Sequence, residues 1–207
     1  MPLVDKSVRD LLAAFSSSDP TPGGGSAAAL ASAVGASLLM MVAALPKTRS
    51  GPDQDRAALE RATAALDGVR RQLTDAIDED TGAYDQVVAA YKLPRGTDEE
   101  KGARKAAVQQ ALHAATDVPL RVMRLSAAGL DAASTVASHG HRGASSDVGV
   151  AIALLRAGLL GARLNVDINL AGIADEPYKA SVAGQVNGLM QQASAAADSA
   201  ERALVGG

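Results

Sequence analysis

The chain has 207 residues, a formal net charge of −3, no cysteine and only 2% aromatic residues. The missing cysteines exclude a disulfide framework and a thiolate metal site, and the acidic balance argues against a nucleic-acid-binding surface, which needs a dominant basic face. A core without large rings must come from close helix–helix contact, and an Ala-rich sequence supplemented by Leu, Glu, Gln and Arg predicts one all-α domain over 1–207, an antiparallel bundle of long helices.

At the N-terminus, Val8, Leu11, Leu12 and Phe15 recur at helical spacing, which predicts a short docking helix over 5–15. Asp5, Lys6, Arg9 and Asp10 break the apolar run that a secretory signal would need, so the expected location is the cytoplasm. Residues 16–26 hold two prolines and three consecutive glycines and read as a loop. Helix resumes near Gly25 or Ser26, and residues 27–45 form an uncharged stretch as long as a membrane span. Half of that stretch is Ala, Ser and Gly and it lacks an aromatic belt, so a helix buried within a bundle or dimer is the better reading, with no membrane partner expected.

After a loop at 47–52, the apolar positions from Leu59 to Tyr91 predict a long helix over 53–92, stopped by Pro94. Thr97-Asp98-Glu99-Glu100 has the S/T-x-x-E form of a capping box and opens a helix to about Ser138, with Pro119 expected to bend it. Ser145-Ser146-Asp147 offers the next N-terminus, for a helix through Ala171, and a last helix runs from about Asp175 to Leu204 with Pro177 in its first turn.

Several groups on this frame can carry chemistry. Gly23-Gly24-Gly25-Ser26 at a helix start presents free amides and the positive dipole end to an anion, although a glycine run also suits a plain tight turn. Asp78, Glu79, Asp80 and Asp85 fall within two helical turns, with Tyr84 four residues beyond Asp80; neighbouring carboxylates in a site raise one another's pKa, whereas the same cluster on a solvated face does nothing. Asn165 and Asn169 form an i, i+4 pair on an otherwise apolar helix. Such a pair suggests a polar pocket able to orient a heterocycle, or a mutual hydrogen-bonded pair bridging helices or subunits. His139 and His141 lack a third ligand of suitable kind, so no metal is expected, and no Ser-His-Asp arrangement stands out.

Taken in order, Thr21-Pro22-Gly23-Gly24-Gly25-Ser26, Asp80 with Ala83-Tyr84-Asp85, and the segments 89–107, 115–120, 146–151 and 164–169 resemble the formiminotransferase-cyclodeaminase C-terminal domain family, which includes stand-alone bacterial methenyltetrahydrofolate cyclohydrolases. The resemblance spans essentially the whole chain. It implies an all-α homodimer that makes or breaks a carbon–nitrogen bond at the methenyl bridge of a folate, possession of no cofactor beyond the tetrahydrofolate substrate, and either cyclohydrolase or cyclodeaminase activity. On that reading Asp147 and Asp80 are the acid/base pair, with Asp85 third. Tyr84, Asn165 and Asn169 orient substrate, while Gly23, Gly24, Gly25 and Ser26 together with Lys47 and Arg49 receive its anionic, polyglutamylated end. At Pro46-Lys47-Thr48-Arg49-Ser50-Gly51 the chain departs from a Gly-Lys-Lys-Lys-Tyr-like segment common in the family, keeping two cations and losing the aromatic. The alternative is an inactive helical dimer of the same fold that binds a folate or another anion.

Overall fold

The computed structural model describes residues 1–46 and 53–205. Lys47 and Arg49 therefore lie outside the described residues. Six α-helices and no strand occur among the residues that are described: α1 Val8–Phe15, α2 Gly24–Ala44, α3 Asp53–Tyr91, α4 Asp98–His139, α5 Ser145–Ala171 and α6 Glu176–Val205. One short helix and five longer ones is the predicted layout.

The first element differs from expectation. Residues 3–5 form a separate 3₁₀ turn, and α1 starts only at Val8 because the Ser7 hydroxyl accepts from the Asp10 amide at 3.1 Å and caps the helix. Asp78 on α3 ties the turn down, accepting from the Leu3 amide at 2.5 Å and the Val4 amide at 3.4 Å. Leu11 packs against the main core, while Val8 and Leu12 stay exposed. The capping box is present in full: Thr97 accepts from the Glu100 amide, and the Glu100 carboxylate accepts from the amides of Thr97 and Gly96.

α4 is the central helix and touches α2, α3, α5 and α6. α2 and α5 run antiparallel across it, with Gly24 facing Asn165, Ala28 facing Gly158 and Gly161, and Gly35 facing Ala151. Small residues make this approach possible: a Cβ on Gly158 would lie 1.9 Å from the Ser32 Oγ and 2.6 Å from the Ala28 carbonyl. Although α2 has the length and apolarity of a membrane span, ten of its residues are buried, from Gly25 to Val42. Leu39, Leu66, Leu73, Leu130 and Leu155 are fully enclosed in the main core. A second, smaller core of Ala90, Val108, Ala111, Leu112 and Ile173 lies where the end of α3 and the first half of α4 meet the α5–α6 turn.

Candidate active site

A cavity of about 250 Å³ opens where the α2 N-terminus, the middle of α3, α4 and the C-terminal half of α5 converge. Pro20, Thr21 and the three glycines form one wall; Asp80, Tyr84 and Val87 form another; Ala115, Asn165 and Asn169 close it. Gly23, Gly24, Gly25, Asp80, Tyr84, Asn165 and Asn169 were all expected in the site from the sequence, and the fold brings them to one place.

Asp80 is the centre of the arrangement. Its Oδ2 accepts from the Ser26 amide at 2.9 Å and from the Ser26 hydroxyl at 3.1 Å. The anion at the positive end of α2 is thus the protein's own carboxylate, and Ser26 itself is fully buried behind the cavity wall. Gly25 is required by this contact, since a Cβ there would lie 2.0 Å from the Asp80 Oδ1. Burial raises the Asp80 pKa above its ordinary value of 3.8, and the two Ser26 hydrogen bonds only partly oppose that shift. Because both bonds fall on Oδ2, Oδ1 has no protein donor among the described residues and can take or give a proton in the cavity.

The two asparagines are fixed through their amide nitrogens. Asn165 Nδ2 donates to the Gly161 carbonyl at 2.9 Å, one turn back on α5. Asn169 Nδ2 donates to the Ala115 carbonyl of α4 at 2.8 Å. That carbonyl would normally accept from the amide four residues later, but residue 119 is proline and has none. α4 continues through Pro119 to His139, and the orphaned acceptor faces the cavity, where Asn169 satisfies it. The two side chains do not bond each other: Asn169 alone bridges α5 to α4 and Asn165 is held within α5, while each asparagine keeps its carbonyl oxygen for a ligand donor. Sequence patterning marks neither Ala115 nor Val87 as a site residue; the one signal for Ala115 is the proline four positions downstream.

Other expectations fall elsewhere. Asp85 is exposed and does not line the cavity. Asp147 stands in the first turn of α5, eighteen residues before Asn165 and about 27 Å from it along the helix, so one chain does not pair it with Asp80. His139 lies 3.1 Å from Asp55, and the His141 Nδ1 accepts from the Gly143 amide, so both rings have structural partners. No group of three metal-binding side chains occurs among the described residues.

The sequence profile of formiminotransferase-cyclodeaminase matches residues 7–188. The chain belongs to this family. It is 40% identical over 191 residues to the methenyltetrahydrofolate cyclohydrolase of Methylorubrum extorquens, an alignment covering 92% of each protein. It is 33% identical to the formimidoyltransferase-cyclodeaminase of Sus scrofa, where it covers 92% of this chain but 35% of that longer protein. The crystal structure of formiminotetrahydrofolate cyclodeaminase from Thermotoga maritima superposes with a TM-score of 0.87 at 26% identity, covering 98% of this chain and 97% of that one. The family resemblance and the all-α architecture read from the sequence both stand.

Proposed function

We propose that the chain is a folate one-carbon enzyme that hydrolyses the methenyl bridge of methenyltetrahydrofolate, with the cyclodeamination of formiminotetrahydrofolate as the second reaction the same site supports. The observation that carries this reading is the convergence of a partly desolvated carboxylate, two fixed amides and a glycine turn in one cavity. End-to-end similarity to a cyclohydrolase favours the first reaction; the likeness to a cyclodeaminase structure favours keeping the second.

In the hydrolytic direction, water adds to the methenyl carbon and loses a proton to Asp80 Oδ1 as the carbon–oxygen bond forms. The tetrahedral carbon then releases one nitrogen, which takes the proton back from Asp80 as the carbon–nitrogen bond breaks, while the new hydroxyl becomes the formyl carbonyl and its proton leaves to solvent. A carboxylate with a raised pKa suits both halves, because its acid and base forms lie closer in energy near neutral pH. The free carbonyl oxygens of Asn165 and Asn169 accept from the ring N–H groups of the bicyclic head, and Tyr84 forms a side wall.

The enzyme is a cytoplasmic homodimer in this reading and uses no cofactor beyond the folate it converts. α5 packs on α4 and α2 packs on α5 and α3, and both helices leave apolar side chains uncovered. Val34, Met41, Val150, Leu160, Leu164 and Ile168 are 41–72% exposed. Summed, they uncover on the order of 600 Å², at the top of the range for the largest apolar patch of a monomer and approaching the roughly 800 Å² per partner of a standard interface. The exposed apolar residues of α5 run from Val150 to Ile168, so a two-fold axis near residue 159 that sets two α5 helices antiparallel brings Asp147 of the partner subunit within about a turn of Asn169. Asp147 serves the site from across the interface as base or electrostatic stabiliser.

Purified protein incubated separately with methenyltetrahydrofolate and formiminotetrahydrofolate, while methenyl absorbance is followed, tests the proposal. Decay of the absorbance with the first substrate supports the cyclohydrolase, and its growth with the second supports the cyclodeaminase. Folate binding with neither change would leave an inactive folate-binding dimer.

A further inference from the structure

The cavity around Asp80 holds a carboxylate and no cation, and the amide of Ser26 at the α2 N-terminus is already engaged by that carboxylate. It suits the cationic, methenyl-bearing head of a folate, not the carboxylates at its other end. A second cavity, of about 320 Å³, lies further along the same two helices, between the end of α3 and the first turns of α4. Its walls carry Tyr91, Arg95, Lys101, Arg104 and Lys105 over the buried side chain of Val108.

The two cavities are in register. Tyr84 to Tyr91 is seven residues along α3, and Ala115 back to Val108 is seven residues along the antiparallel α4, so both helices step about 10 Å from one cavity to the next. The ground between is apolar: Val87, which lines the first cavity, packs on the small core that contains Ala90, Ala111 and Val108. An aryl ring and an amide link occupy a span of this size.

The charges at the far end are arranged to receive an anion. Arg104 donates from Nε to the Tyr91 carbonyl at 3.0 Å, and its guanidinium carbon lies 5.4 Å from the centre of the Tyr91 ring, which fixes the side chain and leaves its terminal nitrogens to other partners. Lys101 is paired with Asp98 at 2.8 Å, and Glu100 is occupied by the capping box. Arg95, Arg104 and Lys105 have no carboxylate partner among the described residues.

Resting on the folate reading above, we infer that this basic cavity is the subsite for the carboxylates of the substrate's glutamyl tail, with Arg104 as the oriented contact and Arg95 and Lys105 as its flanking charges. The tail runs from the Asp80 cavity over the Val87–Ala111 floor to the α3–α4 turn.

The test compares KM for mono- and triglutamyl methenyltetrahydrofolate at low ionic strength in wild type, R95A/K105A, R104A, R104K, K47A/R49A and the charge-loss control R71A/R202A. Wild type is expected to show a KM about tenfold lower for the triglutamate. The ratio should collapse to within about twofold in R95A/K105A and R104A, recover in part in R104K, and persist in the control; added salt should shrink it. A ratio near one in wild type, an unchanged ratio in R95A/K105A and R104A, or a collapse confined to K47A/R49A would overturn the inference while leaving the folate reading intact. Titration with p-aminobenzoyl-triglutamate, which lacks the bicyclic head, separates the two failures. Saturable binding lost in R95A/K105A supports the subsite even if neither folate is turned over, and no binding by wild type overturns it.

Discussion

Replacing Asp80 separates its two physical roles. In Asp80→Asn the amide oxygen can still accept from the Ser26 amide and hydroxyl, so the α2 cap survives. What disappears is the partly desolvated charge and the exchangeable proton. Since burial, the largest influence on Asp80, raises its pKa, the native carboxyl is easier to keep protonated than the unfolded one. Its favourable contribution is fully present below the ordinary value of 3.8 and is lost as pH rises through the raised native value. The asparagine variant escapes that loss, so its melting temperature relative to wild type should increase from about pH 4 upward and level off once the native carboxyl is ionised. At neutral pH it should be within about 1 kcal/mol of wild type, on the stable side. Asp80→Ala removes the acceptor from a buried Ser26 amide and should cost about 2 kcal/mol, or roughly 4–8 °C in a domain of this size. Turnover should fall on the order of 100-fold or more in both variants, and the acid limb of kcat/KM, lying above the ordinary carboxylate range in wild type, should vanish in Asp80→Asn. The measurements are thermal denaturation across pH and methenyl absorbance kinetics. Wild-type turnover in Asp80→Asn would reduce Asp80 to a cap; equal destabilisation of the Asn and Ala variants would refute the desolvation argument.

Three further outcomes follow from the same geometry. Gly25→Ala puts a Cβ against the Asp80 carboxylate and is expected to lower kcat/KM about as far as Asp80→Asn, whereas Gly24→Ala, whose Cβ would lie 3.5 Å from the Asn165 Nδ2, should stay within a few-fold of wild type. Asn169→Ala strands the Ala115 carbonyl and should cost about 1–3 kcal/mol by chemical denaturation, but less than half of that in a Pro119→Ala background, where residue 119 regains an amide donor. Asp80→Asn and Asp147→Asn proteins, each nearly inactive, should regain turnover on subunit exchange if two chains build one site; L164E/I168E, sedimenting as a monomer, should not support exchange. Absence of recovery with proven exchange would remove Asp147 from the mechanism.

The helical architecture was legible from local features that act within a few residues. The capping box at Thr97, the glycine turn before α2 and the stops near Pro94 and Gly140 place most helix ends within a residue or two, because helix propensity and capping are short-range effects. The N-terminal pattern predicts one helix over 5–15 where a turn and a shorter helix occur, since the tie from Asp78 to Leu3 spans 75 positions and has no local signature.

The candidate site divides in the same way. The glycine run, Asp80 and the asparagine pair each announced a polar feature through residue type and spacing, and the order of the motifs carried the family. Which acid of the 78–85 cluster faces the cavity was a tertiary matter. Asp78 turned to the N-terminal segment, Asp85 to solvent and Asp80 to Ser26, because adjacent positions on a helix point about 100° apart and only the packing partners decide which direction is inward. Composition determined by itself that the chain is helical and built on small-residue contact. Only the fold decided that the anion at the α2 N-terminus is the protein's own carboxylate and that Pro119 hands the Ala115 carbonyl to Asn169. It also set the Arg104 cluster two helical turns from the Asp80 cavity. Each of these depends on contacts between helices, and no local propensity encodes them.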